Sequence, residues 1–148
     1  MIARRLDNID VVCTDLEPMR AFYVDLLGLP LRLPYEPGQG WVGVRAGDVV
    51  IYLIEEDGDH LPPHPRPRLT GAANPPGLDS FAFEVDELGA AIAELDRHGV
   101  SWAGDIVESE WYRYRGLHDP EGNLVYLTEP LLDRRDPPVP APAPGSNP

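Results

Sequence analysis

The chain has 148 residues, no lysine and a formal net charge of −13. So acidic a balance argues against a nucleic-acid partner, because phosphate recognition calls for a basic face. Arg4 and Arg5 are followed by no apolar leader core, and no run of eighteen apolar residues occurs, so no membrane partner is expected and the expected setting is the cytoplasm.

In chain order, Leu6 to Thr14 alternates as a strand does, with Ile9, Val11 and Cys13 on one face and Asn8, Asp10 and Val12 on the other. Cys13 is the only cysteine, and its place among apolar neighbours reads as a buried, inert thiol. Asp15 and Pro18 then open a segment of helical period, with Phe22, Tyr23, Leu26 and Leu27 on one side, and Gly28 stops it. Three further strand-like runs follow: Leu29–Leu33, Gly40–Arg45 and Val49–Glu55. Residues 57–77 hold six of the 18 prolines and read as an extended bridge. His60 and His64 lie in it, but Pro62 and Pro63 exclude the helix that would align the two imidazoles on a metal.

The second half repeats the first. Leu78–Val85 is a strand, Asp86 or Glu87 a cap, and Leu88, Ala91, Ile92 and Leu95 a helix stripe that ends at Gly99. His98, in the last turn, suits a helix C-terminus. Val100–Trp102, a run within 106–117 and Leu124–Glu129 complete the set. The last of these rewrites Val50-Ile51-Tyr52-Leu53-Ile54-Glu55 as Leu124-Val125-Tyr126-Leu127-Thr128-Glu129, 74 residues further on. The expected fold is therefore α+β, two βαβββ modules in one domain over 1–132. Module 1 spans about 6–56 and module 2 about 78–131, and 133–148 reads as a disordered proline-rich tail.

Leu6-Asp7-Asn8-Ile9 leading to Asp15-Leu16, then Phe22-Tyr23 and Leu27-Gly28-Leu29, together with His118-Asp119-Pro120-Glu121-Gly122-Asn123, resembles the vicinal oxygen chelate superfamily. That superfamily includes glyoxalase I, bleomycin-resistance proteins and extradiol dioxygenases. The resemblance implies that the two modules form a cup-shaped mixed sheet with the helices on its outer face. Asn8, Asp10, Val12, Val50, Tyr52, Ile54, Ser80, Ala82, Glu84, Leu124, Tyr126 and Thr128 would then face inward. It also implies a homodimer, with modules exchanged between chains or not.

Metal-dependent members place ligands at positions that correspond to Asn8, Tyr52, Ser80 and Tyr126. An amide, an alcohol and two phenols are poor partners for a catalytic divalent ion, so neither a metal nor another cofactor is expected. The remaining wall has the character of a ligand pocket: Asn8, Asp10, Tyr52, Ser80, Glu84 and Tyr126, with Trp111 and Tyr112 from the segment Glu110-Trp111-Tyr112-Arg113-Tyr114-Arg115-Gly116. Alternation sends Trp111, Arg113 and Arg115 to one side and Tyr112 and Tyr114 to the other, with the inward side left open. Trp41 and Trp102 fit a pocket rim, the core or a subunit interface equally well.

The function expected from this wall is metal-independent binding of an aromatic natural product or metabolite, cationic or neutral, as the resemblance to the bleomycin-resistance branch implies, rather than enzyme activity. The alternative is a lyase, isomerase or dioxygenase with unusual ligands or a metal-free general base, Glu84, Asp10 or His118, of which His118 is the leading acid–base candidate. Two structural readings stand beside these: Tyr52 and Tyr126 closing the cup by bonding to each other, and Glu55 and Glu129 as solvated strand ends.

Overall fold

A computed structural model describes residue 2 and residues 5–56 and 77–131. The bridge up to residue 76, with His60 and His64, and the tail lie outside the described residues. Module 1 comprises β1 (Asn8–Cys13), α1 (Leu16–Arg20) continued by a π-helical turn (Ala21–Leu26), β2 (Trp41–Ala46) and β3 (Val49–Glu55). Module 2 comprises β4 (Ser80–Glu84), α2 (Leu88–Arg97), β5 (Ser101–Trp102), β6 (Val107–Glu108), β7 (Tyr112–His118) and β8 (Leu124–Pro130). The strands form two open sheets, one in the order β1-β3-β2 and one in the order β4-β8-β7-β5 with β6 on β7. In each module the first strand runs parallel to the last, and the neighbouring strand runs antiparallel to it.

Strand alternation sorts the side chains as their polarity requires. Val11, Cys13, Val42, Val44, Ile51 and Leu53 are buried on the helix side of the first sheet, and Leu117, Val125 and Leu127 on that of the second. Each of the larger ones contributes roughly 1.5–3 kcal/mol by leaving water. Helix α1 lies on β2 and β3, and α2 on β8. Leu88, Ala91, Ile92 and Leu95, spaced as one helical stripe, make the contact of α2 with the common core. Gly28 and Gly99 adopt φ of 74° and 67° and so close the two helical segments.

Two expectations change. Leu29–Leu33 is not a strand but a single bridge, Leu31 to Val44, flanked by Arg32 N–H donating to Gly43 O at 2.7 Å and Arg45 N–H to Pro30 O at 2.8 Å. Pro30 and Pro34 remove two of the donors that a ladder would need. The run within 106–117 divides at a bend into β6 and β7. Past Arg20 the helix widens, so that Leu27 N–H donates to Phe22 O at 2.9 Å, five residues back.

The modules join on the helix side. Tyr23, fully buried, packs against Phe81 and Phe83 with ring centroids 6.3 Å away in both cases. Its hydroxyl donates to Asp119 Oδ2 at 2.8 Å, 96 residues on in sequence. Asp119, 2% exposed, also accepts from Glu121 N, Asn123 N and the Asn123 amide, so a buried carboxylate is fully partnered. Beside it, Glu121 Oε1 accepts from the backbone N–H groups of Thr14 and Asp15 and from the Thr14 hydroxyl. Module 2 thereby caps the approach to the first helix of module 1. Among the described residues no helix is long and apolar enough to cross a membrane.

Candidate functional site

Residues directly opposite in neighbouring strands share a face, so the pairing register shows what lies opposite the helices. On the first sheet Asp10 and Gly43 flank Tyr52, while Val12 and Trp41 flank Ile54. On the second, Ala82 and Gly116 flank Tyr126, while Glu84 and Tyr114 flank Thr128. The two faces are built alike. Each has a tyrosine in the central strand, a glycine beside it, and an aromatic residue two positions before that glycine.

The rings meet accordingly. Trp41 and Tyr52 pack edge to face with centroids 6.1 Å apart and planes at 62°, and Tyr114 and Tyr126 with centroids 5.5 Å apart at 84°. Such pairs are stabilised by about 0.5–1.5 kcal/mol beyond their burial. A Cβ added to Gly43 would lie 2.9 Å from Tyr52 Cε1, and one added to Gly116 would lie 3.0 Å from Tyr126 Cε1. Each tyrosine therefore leans across a neighbouring strand that has no side chain to hold it off. A shallow depression of about 310 Å³ lies against Gly40, Trp41, Tyr52 and Ile54.

Polar groups edge these rings. Asn8 Nδ2 donates to Asp10 Oδ1 at 2.8 Å, and Asp10 is exposed beside Tyr52. Ser80 is half-buried and Glu84 exposed on the second face. Burial, with the charge of Asp79 and the neighbouring Tyr114, raises the Tyr126 phenol above its ordinary pKa, so it stays a hydrogen-bond donor at neutral pH. The Tyr52 and Tyr126 phenols do not bond to each other among the described residues; each ring instead faces its own aromatic partner.

The open question of the segment before the last turn is answered by register. Tyr112 and Tyr114 share the face of Tyr126, and Arg113 and Arg115 the helix side, opposite Glu129 and Leu127. Arg113 pairs with Glu108 at 3.0 Å and Glu129 at 3.6 Å, and Arg115 stacks over Trp102 at 4.1 Å, which assigns Trp102 to the helix side too. Trp111 precedes β7, is 55% exposed and joins neither aromatic pair. His118 is 7% exposed at the far end of β7.

Glu129 is not a solvated end, whereas Glu55 stays exposed as expected and makes only a long contact. Leu88 N–H donates to Glu129 Oε2 at 2.8 Å and Leu16 N–H to Glu55 Oε1 at 3.5 Å, so each last strand returns a carboxylate to the start of its own helix. Burial pushes the Cys13 thiol up to about 12, which makes it inert at neutral pH.

The corner positions Asn8, Tyr52, Ser80 and Tyr126 do not fit a divalent ion, and among the described residues no three His, Cys, Asp or Glu side chains are grouped to hold one. A larger cavity of about 560 Å³ opens on the helix side between the modules, along the edge of β4. It is lined by Leu26, Leu29, Phe83 and Leu95, with Glu84 and Glu94 the charged groups, and Glu94 already pairs with Arg97 and His98. The duplicated aromatic face is the better candidate, because there the two modules repeat the same arrangement of tyrosine, glycine and neighbouring aromatic, with polar groups at its edges.

Residues 5–127 match the sequence profile of the Glyoxalase/Bleomycin resistance protein/Dioxygenase superfamily. The chain is 31% identical over 134 residues to the uncharacterized protein YaeR of Escherichia coli (strain K12), covering 85% of this chain and 96% of that one. Its fold is similar to that of TnmS3, an antibiotic binding protein from Streptomyces sp. CB03234, at a TM-score of 0.63 and 24% identity, over 88% of this chain and 98% of the other. A glyoxalase/dioxygenase from Nostoc punctiforme superposes at a TM-score of 0.69 and 18% identity, over 86% and 91% of the respective chains.

Proposed function

Since the chain belongs to the glyoxalase/bleomycin resistance protein/dioxygenase superfamily, we propose that it binds a flat aromatic organic molecule, preferentially a cationic one, without a metal and without transforming it. The observation that carries this reading is the pair of edge-to-face aromatic contacts at two of the corners where metal-dependent relatives would carry metal ligands. Ring faces attract planar and cationic groups by about 0.5–2 kcal/mol each. The phenols, the Asn8 amide and Ser80 supply directed hydrogen bonds, and Asp10 and Glu84 supply negative charge. The likeness in fold to an antibiotic-binding protein supports sequestration as the purpose. His118, the leading acid–base candidate, lies on the Tyr126 face across Leu124 from Ser80 and is buried at 7% exposure, which fits it to a supporting role better than to a reaction with a guest.

The same reading makes the protein a cytoplasmic homodimer with no nucleic-acid or membrane partner. Among the described residues, strands β1 and β4 each pair on one side only, and Val12, Leu78 and Tyr112 are exposed at 45%, 76% and 44%. Free edges and apolar side chains of this kind are stabilised by a second copy. Sedimentation at micromolar concentration tests this: a species of twice 16.4 kDa is expected, and a persistent monomer contradicts it.

Calorimetric titration of chelator-treated protein with proflavine, a planar tricyclic cation, tests the binding itself. Saturable binding that added Ni²⁺, Zn²⁺, Fe²⁺ or Mn²⁺ leaves unchanged is the expected result. Binding or turnover that appears only with one of these ions overturns the reading.

A further inference from the structure

Among the described residues seven glycines have a positive φ, a backbone conformation that accounts for the residue. Gly43 and Gly116 do not; both lie in regular strands directly opposite a tyrosine. Gly89 and Gly104 also lack a positive φ, but a Cβ there would meet nothing within 4 Å. At Gly43 a Cβ would meet Tyr52 Cε1 at 2.9 Å and Cδ1 at 3.2 Å, with Arg32 Cβ at 3.3 Å. At Gly116 it would meet Tyr126 Cε1 at 3.0 Å, with Ala103 Cβ at 3.2 Å and Leu124 Cδ1 at 3.3 Å. Both glycines therefore mark a close approach of a tyrosine ring to the neighbouring backbone, the reason glycine occurs inside strands. The second aromatic of each pair, Trp41 or Tyr114, stands at a steep angle to that ring.

From this duplication we infer that Gly43 and Gly116 are positioning residues: they let Tyr52 and Tyr126 lie down on their sheets, so that each ring is the floor, and Trp41 or Tyr114 the wall, of a subsite that takes a planar ring face-on. This rests on the binding reading above and refines its ligand class to molecules that stack. Neither subsite is free of charge: Arg32 Cβ lies beside the Gly43 position, and Glu84 flanks Thr128 on the second face. Asp10 is the cross-strand neighbour of Tyr52, whereas Ala82 is the neighbour of Tyr126. A methyl group at either glycine lifts the ring, because the tyrosine side chain can yield where the strand backbone cannot.

The first test needs no ligand. Rings lying over glycine shift its Hα resonances upfield, so the Gly43 and Gly116 Hα protons of the full chain are expected well upfield of ordinary glycine, and Tyr52→Leu returns those of Gly43 to normal. Ordinary shifts in the unaltered protein overturn the inference whatever the chain binds.

The second test titrates chelator-treated protein with proflavine and with phenazine, a neutral planar tricycle. Gly43→Ala and Gly116→Ala are each expected to weaken binding of the planar probes by about fivefold or more, with Gly89→Ala unchanged. Asp10→Asn lowers the ratio of proflavine to phenazine affinity. Folded glycine variants that bind both probes as the unaltered chain does overturn the positioning role and leave the binding reading standing. If neither probe binds the unaltered chain, that reading fails and this inference fails with it. Should a glycine variant not fold, Tyr52→Leu and Tyr126→Leu decide: retained affinity for both probes overturns the floors.

Discussion

The two modules repeat one plan with different supports, and the differences show which parts are free to vary. Module 2 has five strands and a ten-residue helix capped from within by Glu129. Module 1 has three strands, a proline-interrupted run where a fourth would lie, and a five-residue helix extended by a π-helical turn. Its own carboxylate, Glu55, reaches Leu16 N–H only at 3.5 Å, and Glu121 of module 2 approaches from the other side. What both modules keep is the open face with its tyrosine, glycine and neighbouring aromatic. The scaffold has diverged while the face has not, as expected if the face carries the function.

The joint between the modules gives the largest expected effect. Asp119→Ala leaves the Tyr23 hydroxyl, the Asn123 amide and two backbone N–H groups without their acceptor in a buried place. Its cost is about 3 kcal/mol or more, read as a lower urea midpoint. Separate transitions for the two modules would show that this joint is what makes them cooperative, whereas a loss below about 0.5 kcal/mol would deny it that role.

Alkaline pH probes the same joint without mutation. The Cys13 thiol is raised from 9.0 to about 12 by burial and by the charges of Glu121, Glu55, Asp119 and Asp15, and Tyr23 is raised by burial and Asp119. Groups raised in the folded state contribute stability that is complete below their ordinary pKa and lost as pH climbs toward the folded value. The urea midpoint is therefore expected to hold from pH 7 to about 9 and then to fall, less steeply in Cys13→Ala. A thiol-specific reagent at pH 8 should find Cys13 unreactive until the chain unfolds.

The helix caps sharpen the comparison at smaller scale. Glu121→Ala is expected to cost about 2 kcal/mol, since three donors lose their acceptor, and Glu129→Ala about 1 kcal/mol. Glu55→Ala, removing only a long contact at an exposed site, should cost less than about 0.5 kcal/mol. Thermal melts of the three variants check the order. Equal losses from Glu55→Ala and Glu129→Ala would mean that the modules cap their helices alike.

Much of this was legible beforehand. Alternation along β1 and β3 placed Ile9, Val11, Cys13, Ile51 and Leu53 against the helix, and the repeated Tyr52 and Tyr126 runs gave the duplication away. Trp41-Val42-Gly43 and Tyr114-Arg115-Gly116 were not recognised as equivalents, because their likeness appears only when each glycine is set opposite its tyrosine, and register across strands is a tertiary fact. The signal was there: an aromatic residue two positions before a glycine, in the strand paired with a tyrosine-bearing one, twice. Leu29–Leu33 misled because its leucines alternate, although the flanking prolines lack the donors a ladder requires. The π-helical turn and the caps from Glu55, Glu121 and Glu129 depend on contacts between 39 and 107 residues apart or on a widened helix, and no local pattern announces either.

The most direct test of the central claim is a chemical-shift map of the isotopically labelled chain titrated with proflavine after exhaustive chelation. The account predicts that the largest changes fall on Asp10, Trp41, Gly43, Tyr52, Tyr114, Gly116 and Tyr126, with Leu26, Phe83 and Leu95 on the helix side unmoved. Changes centred on the helix-side cavity, or none until a divalent ion is restored, would contradict it.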